Sequence, residues 1–504
     1  MKQIFIFIAI FFYACSSAPD LSEKTIRLAI SSNPKGFDPA FATDVVTGKM
    51  CMLLYDTMLR YDNKTNLVPG IATHWEISDD GKIYTFHLRD DVHFTNGVKL
   101  TSADVKQSIE RISSPKTNSP MIWIFERIDT IETPNEHTIK ITIGEPFAPF
   151  IQFFAMPSAA IVPSETKNPD FAFHPVGSGP WILEKWEQDN FLRFKRNPNY
   201  HEGAAKMEFL EFRIITETMT QSAEFEVGNL DVFEIPETEF ARWHNSKKWK
   251  NRIRYKDDLD VYYIGLNCEK PPLNNPQVRR ALSLGLDRKK IVDMQLGGKV
   301  RLAHGPIPPG LMGYNPMMPA DPYLPEQAKK LLKKAGFEDG FEITLWQSQS
   351  SRWNILAESI QAYWREIGVN CKIKKTDWNF FKDAIRQGQC DAYLLDWIAD
   401  YPDAENFLFP LFHSSQTQKR NRYANPKVDA LIEEIQREID LRKRINLIRK
   451  VEEEIIADAP WIFLWHSRKY FLTSSAMDNY EPPMMFFAEQ WKNIDKRRVI
   501  NGER

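Results

Sequence analysis

The stretch Leu394–Phe412, LLDWIADYPDAENFLFPLF, threads four carboxylates, Asp396, Asp400, Asp403 and Glu405, among aromatic rings and an apolar run. Negative charge beside so much apolar surface is costly unless it is paired, hydrogen-bonded or put to use. Four uses are open from these residues alone: a catalytic carboxylate pair, a hard-metal site, a receptor for a cationic group, or plain helix capping. Asp beside Pro402 suits turns and helix starts. A glycosidase needs only two carboxyls about 5 or 6.5–9.5 Å apart, which Asp400 and Asp403 could supply.

The rest of the chain narrows the choice. Its 504 residues are too many for one core and predict two or more domains. With 43% apolar and 26% charged residues the composition is that of an ordinary globular protein. The formal net charge is −2 with acids and bases interspersed, so there is no electrostatic footprint for nucleic acid or another polyanion.

The chain opens MKQIFIFIAIFFYACSS, one Lys followed by an apolar run from Ile4 to Ala14 and then Cys15. That run is about half of the ~20 residues that span a bilayer, which predicts a signal peptide over 1–14 and an exported protein. Ala14-Cys15 resembles the lipobox of bacterial lipoproteins, whose Cys is lipidated and becomes the new N-terminus. The resemblance implies a lipid anchor on Cys15, a linker over 15–23, and membrane contact through the lipid.

The other cysteines, Cys51, Cys268, Cys371 and Cys390, form no CxxC and no Cys/His cluster. Cys371 and Cys390 could meet if their segments are neighbouring strands, a question the spacing leaves open. The ten histidines are scattered, with only His413 near the acidic segment. No metal site and no cofactor is expected. G-x-S-x-G, H-E-x-x-H and G-x-x-x-x-G-K-[ST] are all missing, and GSGPW at Gly177 reads as a turn, since no helix pattern follows it. An exported hydrolase is the remote alternative.

Elsewhere the chain alternates strands and helices. Ile83 to Leu88 has the period of a strand, Asn96-Gly97 a turn, and Thr101 with Asp104 a capping box that opens a helix. LDVYYIGLN reads as a buried strand. After a helical face of Ala328, Leu331, Leu332 and Ala335, strand, helix, strand, helix and strand follow as far as Trp397. That order implies a parallel or mixed sheet. Val428 to Ala457 reads as two amphipathic helices divided near Asp440.

Five blocks, YTFHLRDDVHFTNGVKLTSADV, VGSGPWILEKWEQDNFLRFKRNPNY, NPQVRRALSLGLDRKKIVDMQLGG, AKKLLKKAGFEDGFEITLW and DWIADYPDAENFL, together resemble one family. It is the bacterial extracellular solute-binding proteins of family 5, the dipeptide- and oligopeptide-binding type. The blocks keep the family's order and cover nearly all of the mature chain. The resemblance implies an α/β, two-lobed periplasmic-binding-protein-like fold of the large class (type II), with mixed sheets. Lobe 1 would span 24–260, with an inserted subdomain at about 45–165, completed by 476–504, and lobe 2 would span 261–475. VYYIGLN and RKYFLTS are the implied crossing strands.

The function so implied is that of the substrate-binding component of an ABC importer: a monomer, not an enzyme, that captures short peptides and delivers them to an inner-membrane permease. A nickel chelate, haem or a sugar are alternative ligands on the same fold. In dipeptide binders an Asp after the Trp of the acidic segment pairs with the peptide ammonium; the match is Asp400, three residues after Trp397. The carboxylate-binding Arg lies six residues beyond the LW pair, at Arg352. Trp378 matches an aromatic wall of the cavity, with Trp397 and Tyr401 beside Asp400 completing the implied ligand-binding set.

Overall fold

Every residue of the strand Asp260–Leu266 is buried, and its alternate side chains enter different cores. Tyr262, Ile264 and Leu266 pack with Leu345, Leu394 and Ile462, whereas Val261 and Tyr263 pack with Trp346, Tyr393 and Trp461. The two-residue period of a strand causes this division. A strand apolar on both faces belongs inside a covered sheet. In this computed structural model, which describes residues 24–164, 169–349, 351–477, 479–489 and 491–497, that is its place. The expected signal peptide and Cys15 lie outside the described residues.

The sheet has six strands in the order Arg301–Leu302, Trp461–His466, Asp260–Leu266, Ala392–Ile398, Phe341–Ser348 and Val369–Thr376. The Phe341 strand runs parallel to both the Ala392 and the Val369 strand, and the helices Ser351–Glu366 and Trp378–Arg386 make the crossovers. The expected alternation of strand and helix is therefore a mixed sheet. Cys371 and Cys390 are not bridged: the Phe341 strand stands between their segments, all four described cysteines are free, and burial pushes both of these thiols up to about 12.

A second, four-stranded sheet joins Thr25–Ile30, Phe209–Ile214, Phe191–Arg196 and Trp181–Glu187. Between its first two strands in sequence the chain inserts a unit with its own antiparallel sheet, Ala72–Ile77, Ile83–Leu88, Thr138–Ile143 and Ile128–Asn135. The Ile83 strand alternates half-buried with buried residues, and the capping box is present, the Thr101 backbone N–H donating to Asp104 Oδ2 at 2.9 Å ahead of the helix Ser102–Ser113. Gly177 has a steric reason: a Cβ there would fall 1.9 Å from the Leu54 carbonyl oxygen at the end of the helix Val45–Leu54. The amphipathic segment beyond Val428 divides as expected into Pro426–Arg437 and Leu441–Asp458, with Asp440 accepting from the Lys443 N–H at 2.8 Å.

A three-stranded sheet, Val232–Ile235, Arg468–Thr473 and Ile253–Asp257, adjoins the second. From it the chain passes into the six-stranded sheet through Asp258 and Leu259 alone and returns through Ser467 alone. The two passages are tied together: the Asp258 N–H donates to the Ser467 carbonyl at 3.0 Å, and the Ser467 N–H donates to Asp260 Oδ1 at 2.7 Å. VYYIGL and RKYFLT are thus the strands on either side of this joint, one in each sheet.

Candidate functional site

Three parallel strands of the six-stranded sheet end side by side at Ser348, Thr376 and Ile398, and Asp260 begins its own strand opposite Ile398. Beyond the carboxyl ends of such strands, loops from different parts of the chain converge on one crevice. Each loop carries one of the residues singled out in the sequence. Ser348 leads to the helix Ser351–Glu366 with Arg352 in its first turn, Thr376 to Trp378, and Ile398 to Asp400. One strand separates the last two loops, a spacing of about 10 Å.

The four acids of the quoted stretch now separate. The helix after the loop is Glu405–Phe412, and Asp403 serves its start, Oδ1 accepting from the Glu405 N–H at 2.8 Å. The same carboxylate takes a bidentate grip from Arg444 at 2.7 and 2.8 Å, both side chains buried. Asp403 is therefore committed to the fold and cannot partner Asp400 in catalysis. Glu405 accepts from the Tyr401 hydroxyl and from Gln436 Nε2 at 2.6 Å, and burial raises its pKa. Asp396, half-buried on its strand, stands opposite Tyr262.

Asp400 differs. Its carboxylate is met by an amide, Asn406 Nδ2 at 3.4 Å, and Asn406 Oδ1 accepts from the Asp400 N–H at 3.1 Å and from Trp397 Nε1 at 3.3 Å. Asn406 thus fixes the loop and the Trp397 ring together. Asp400 is open to solvent, yet the surrounding protein raises its pKa by desolvation, opposed by the Asn406 bond and the charge of Arg420. Exposure and desolvation coincide where solvent reaches a group from one side and protein occupies the others. Arg420, with its guanidinium carbon 4.8 Å over the Trp397 ring and its charge felt at Asp400, is a neighbour that no sequence signal marked.

The aromatic residues have different places. Trp378 is 49% exposed at the first position of its helix, which Asp377 caps by accepting from the Phe380 N–H at 3.0 Å. Trp397 is half-buried. Tyr401 lies in the core under the loop: it is 5% exposed, its hydroxyl is given to Glu405, and its ring packs edge-on against Phe153 at 5.0 Å. It braces the Asp400 loop from beneath, against the inserted unit, because the hydroxyl found a buried carboxylate. The side chain of Arg352 lies outside the described residues, so its position on the helix start is all that is fixed. His413 is occupied with Ser415 Oγ at 2.7 Å and Glu433 Oε1 at 3.5 Å. A second concavity, of about 390 Å³, opens at the ends of the parallel Thr25 and Phe209 strands and includes Ser31, Lys49, Glu234 and Glu489 in its lining.

Comparison with known proteins places this geometry among relatives. The family model described as bacterial extracellular solute-binding proteins, family 5 Middle, matches residues 66–419. The chain is 29% identical over 462 residues to the glutathione-binding protein GsiB of Salmonella typhimurium, covering 88% of this chain and 89% of that one. It is 28% identical over 502 residues to heme-binding protein A of Haemophilus influenzae, covering 93% and 91%. A solved structure of the ABC transporter-associated periplasmic binding protein DppA from Helicobacter pylori, in complex with the peptide STSA, superposes with a TM-score of 0.74 at 26% identity, covering 94% and 98%. No helix among the described residues is long and apolar enough to cross a membrane.

Proposed function

Because the chain belongs to the bacterial extracellular solute-binding proteins of family 5, which serve ABC importers, we propose that its solute is a short peptide with a free amino terminus. The observation that carries this reading is Asp400: an exposed yet desolvated carboxylate with no cation bonded to it among the described residues, in a loop whose other acids are employed in the fold. A peptide ammonium is the cation such a group is built to receive, since a charge-assisted hydrogen bond gains strength where water is thinned.

Around it, Trp397 and Trp378 supply apolar walls, Tyr401 braces the loop, and Arg352 at the neighbouring strand end takes the peptide carboxylate. Lobe 1, residues 24–260 with 476–504, would close on lobe 2, residues 261–475, about the passages at Asp258–Leu259 and Ser467. The closed monomer would hand its peptide to a permease, held near the membrane by a lipid on Cys15. No bond of the peptide is made or broken in this cycle.

Calorimetry with one peptide, free and N-acetylated, on wild type and Asp400→Asn tests the assignment. Acetylation and the substitution delete the same ion pair from opposite sides, so each alone should abolish tight binding and the two together should add little. Equal affinity of the wild-type protein for both peptides overturns the role of Asp400. Native mass spectrometry of the purified protein tests the ligand class: co-purified peptides support it, and bound haem or a metal chelate replaces it.

A further inference from the structure

Three side chains on the outer face of the inserted unit converge without serving the cleft. His74 and Glu76 are two residues apart on Ala72–Ile77 and so share a face. His87, on the adjacent strand Ile83–Leu88, lies directly opposite His74. A bulge between Ala72 and His74 sets that register. Without the extra residue His87 would oppose Thr73, and His74 would sit one step out of line.

The two imidazoles stack with centroids 4.2 Å apart and planes 7° from parallel, and His87 Nε2 is 3.9 Å from Glu76 Oε1. One ligand atom from each of the three lies within 4.8 Å of the others. Thr73 prepares His74 for coordination: its hydroxyl donates to the His87 carbonyl at 3.0 Å, so the same oxygen accepts from His74 Nδ1–H at 3.0 Å. That bond selects the tautomer whose Nε2 carries the free lone pair, as outer partners of metal-bound imidazoles do. Lys140, on the same face opposite Thr85, is drawn aside by Glu132 at 3.6 Å and does not occupy Glu76.

From this arrangement we propose that His74, His87 and Glu76 bind one divalent d-block ion, with water completing its shell. Two imidazoles and one carboxylate suit zinc, copper or nickel, whereas calcium and magnesium prefer oxygen donors throughout. In a tetrahedral zinc site the ligand atoms stand about 3.3 Å apart, given Zn–N of about 2.0 Å. Rotation of side chains at the surface has to close the present spread by up to about 1.5 Å and moves nothing in the core. The twelve residues between His74 and His87 hid the cluster from a search for sequence spacing, because the strand pairing and its bulge bring them together.

The test is calorimetric titration of the tag-free mature chain with zinc chloride in a non-chelating buffer, with magnesium chloride as control. Zinc should bind with one-to-one stoichiometry and magnesium should not. His74→Ala and His87→Ala should each weaken zinc at least about tenfold, the scale on which even outer partners matter. Thr73→Val should weaken it less and move the pH of half-uptake. Circular dichroism checks that the variants fold, and exposed His74 carries the test if His87→Ala does not. Failure of wild type to take up zinc, or undiminished uptake by the double variant His74→Ala/His87→Ala, overturns the site.

Discussion

Asp400 and Asp403 are the same residue type, three positions apart in one loop, in opposite circumstances. Asp403 is buried and held by both nitrogens of the Arg444 fork, while Asp400 is open to solvent and touched by a neutral amide. On the proposed function, what separates the structural acid from the binding one is whether the described residues supply the counter-cation. For Asp403 they do, and its charge is a fixed part of the core; for Asp400 they do not, which is the place the proposal gives to a cation from outside.

The sharpest way to break the contrast is to remove the internal pair. Asp403→Ala leaves the Arg444 charge buried and unpaired, at about 3–5 kcal/mol, and should lower the urea midpoint accordingly. Replacing both, Asp403→Leu with Arg444→Met, should recover most of that loss, because a well-packed apolar pair often equals a buried ion pair. Asp400→Asn is the complement: about 3 kcal/mol of peptide affinity lost, more than a hundredfold, with folding stability within about 0.5 kcal/mol of wild type.

Acidification should sharpen the same contrast. The proposed peptide capture by Asp400 needs the ionised carboxylate, and desolvation holds its pKa above that of an ordinary aspartate, about 3.9. Affinity should therefore be full at neutral pH and fall as pH drops through that raised value, about tenfold per unit below it. Calorimetry over a pH series reads this, and with Asp400→Asn the dependence should vanish. The smallest effect belongs to a third acid, Asp377, whose work is to cap the helix that presents Trp378. Asp377→Ala should cost about 1 kcal/mol in thermal unfolding and Asp377→Asn almost nothing, since Asn caps as well as Asp.

Local chemistry was legible in the sequence where the deciding partner is close in the chain. Thr101 and Asp104 announced their capping box, the two-residue alternation its strands, and Asp440 the break between two helices. The order of strands and helices before Trp397 identified the mixed sheet, and hence the edge at which Arg352, Trp378 and Asp400 collect. Asp403 could not be told from Asp400 because its partner, Arg444, lies 41 residues away with three helices between them. Tyr401 was read as a ligand-binding residue for the same reason: the Glu405 carboxylate and the Phe153 ring that draw it into the core are fixed only by packing. Arg420 had no signal at all, since an arginine over a tryptophan is a contact between loops and follows no spacing rule.

Ser467 and the pair Asp258–Leu259 give the molecule a kind of modularity. The joint is a few residues long, closed on itself by one backbone bond and one to the Asp260 carboxylate, and it shares no residue with the loops that leave Ser348, Thr376 and Ile398. Those loops can be rewritten one at a time, by substitution or insertion, without touching a residue of the joint itself. A lineage built on such a frame can change what its loops hold while inheriting the joint, and relatives named for glutathione and for heme, at 28–29% identity over nearly the full chain, are what that freedom would leave behind.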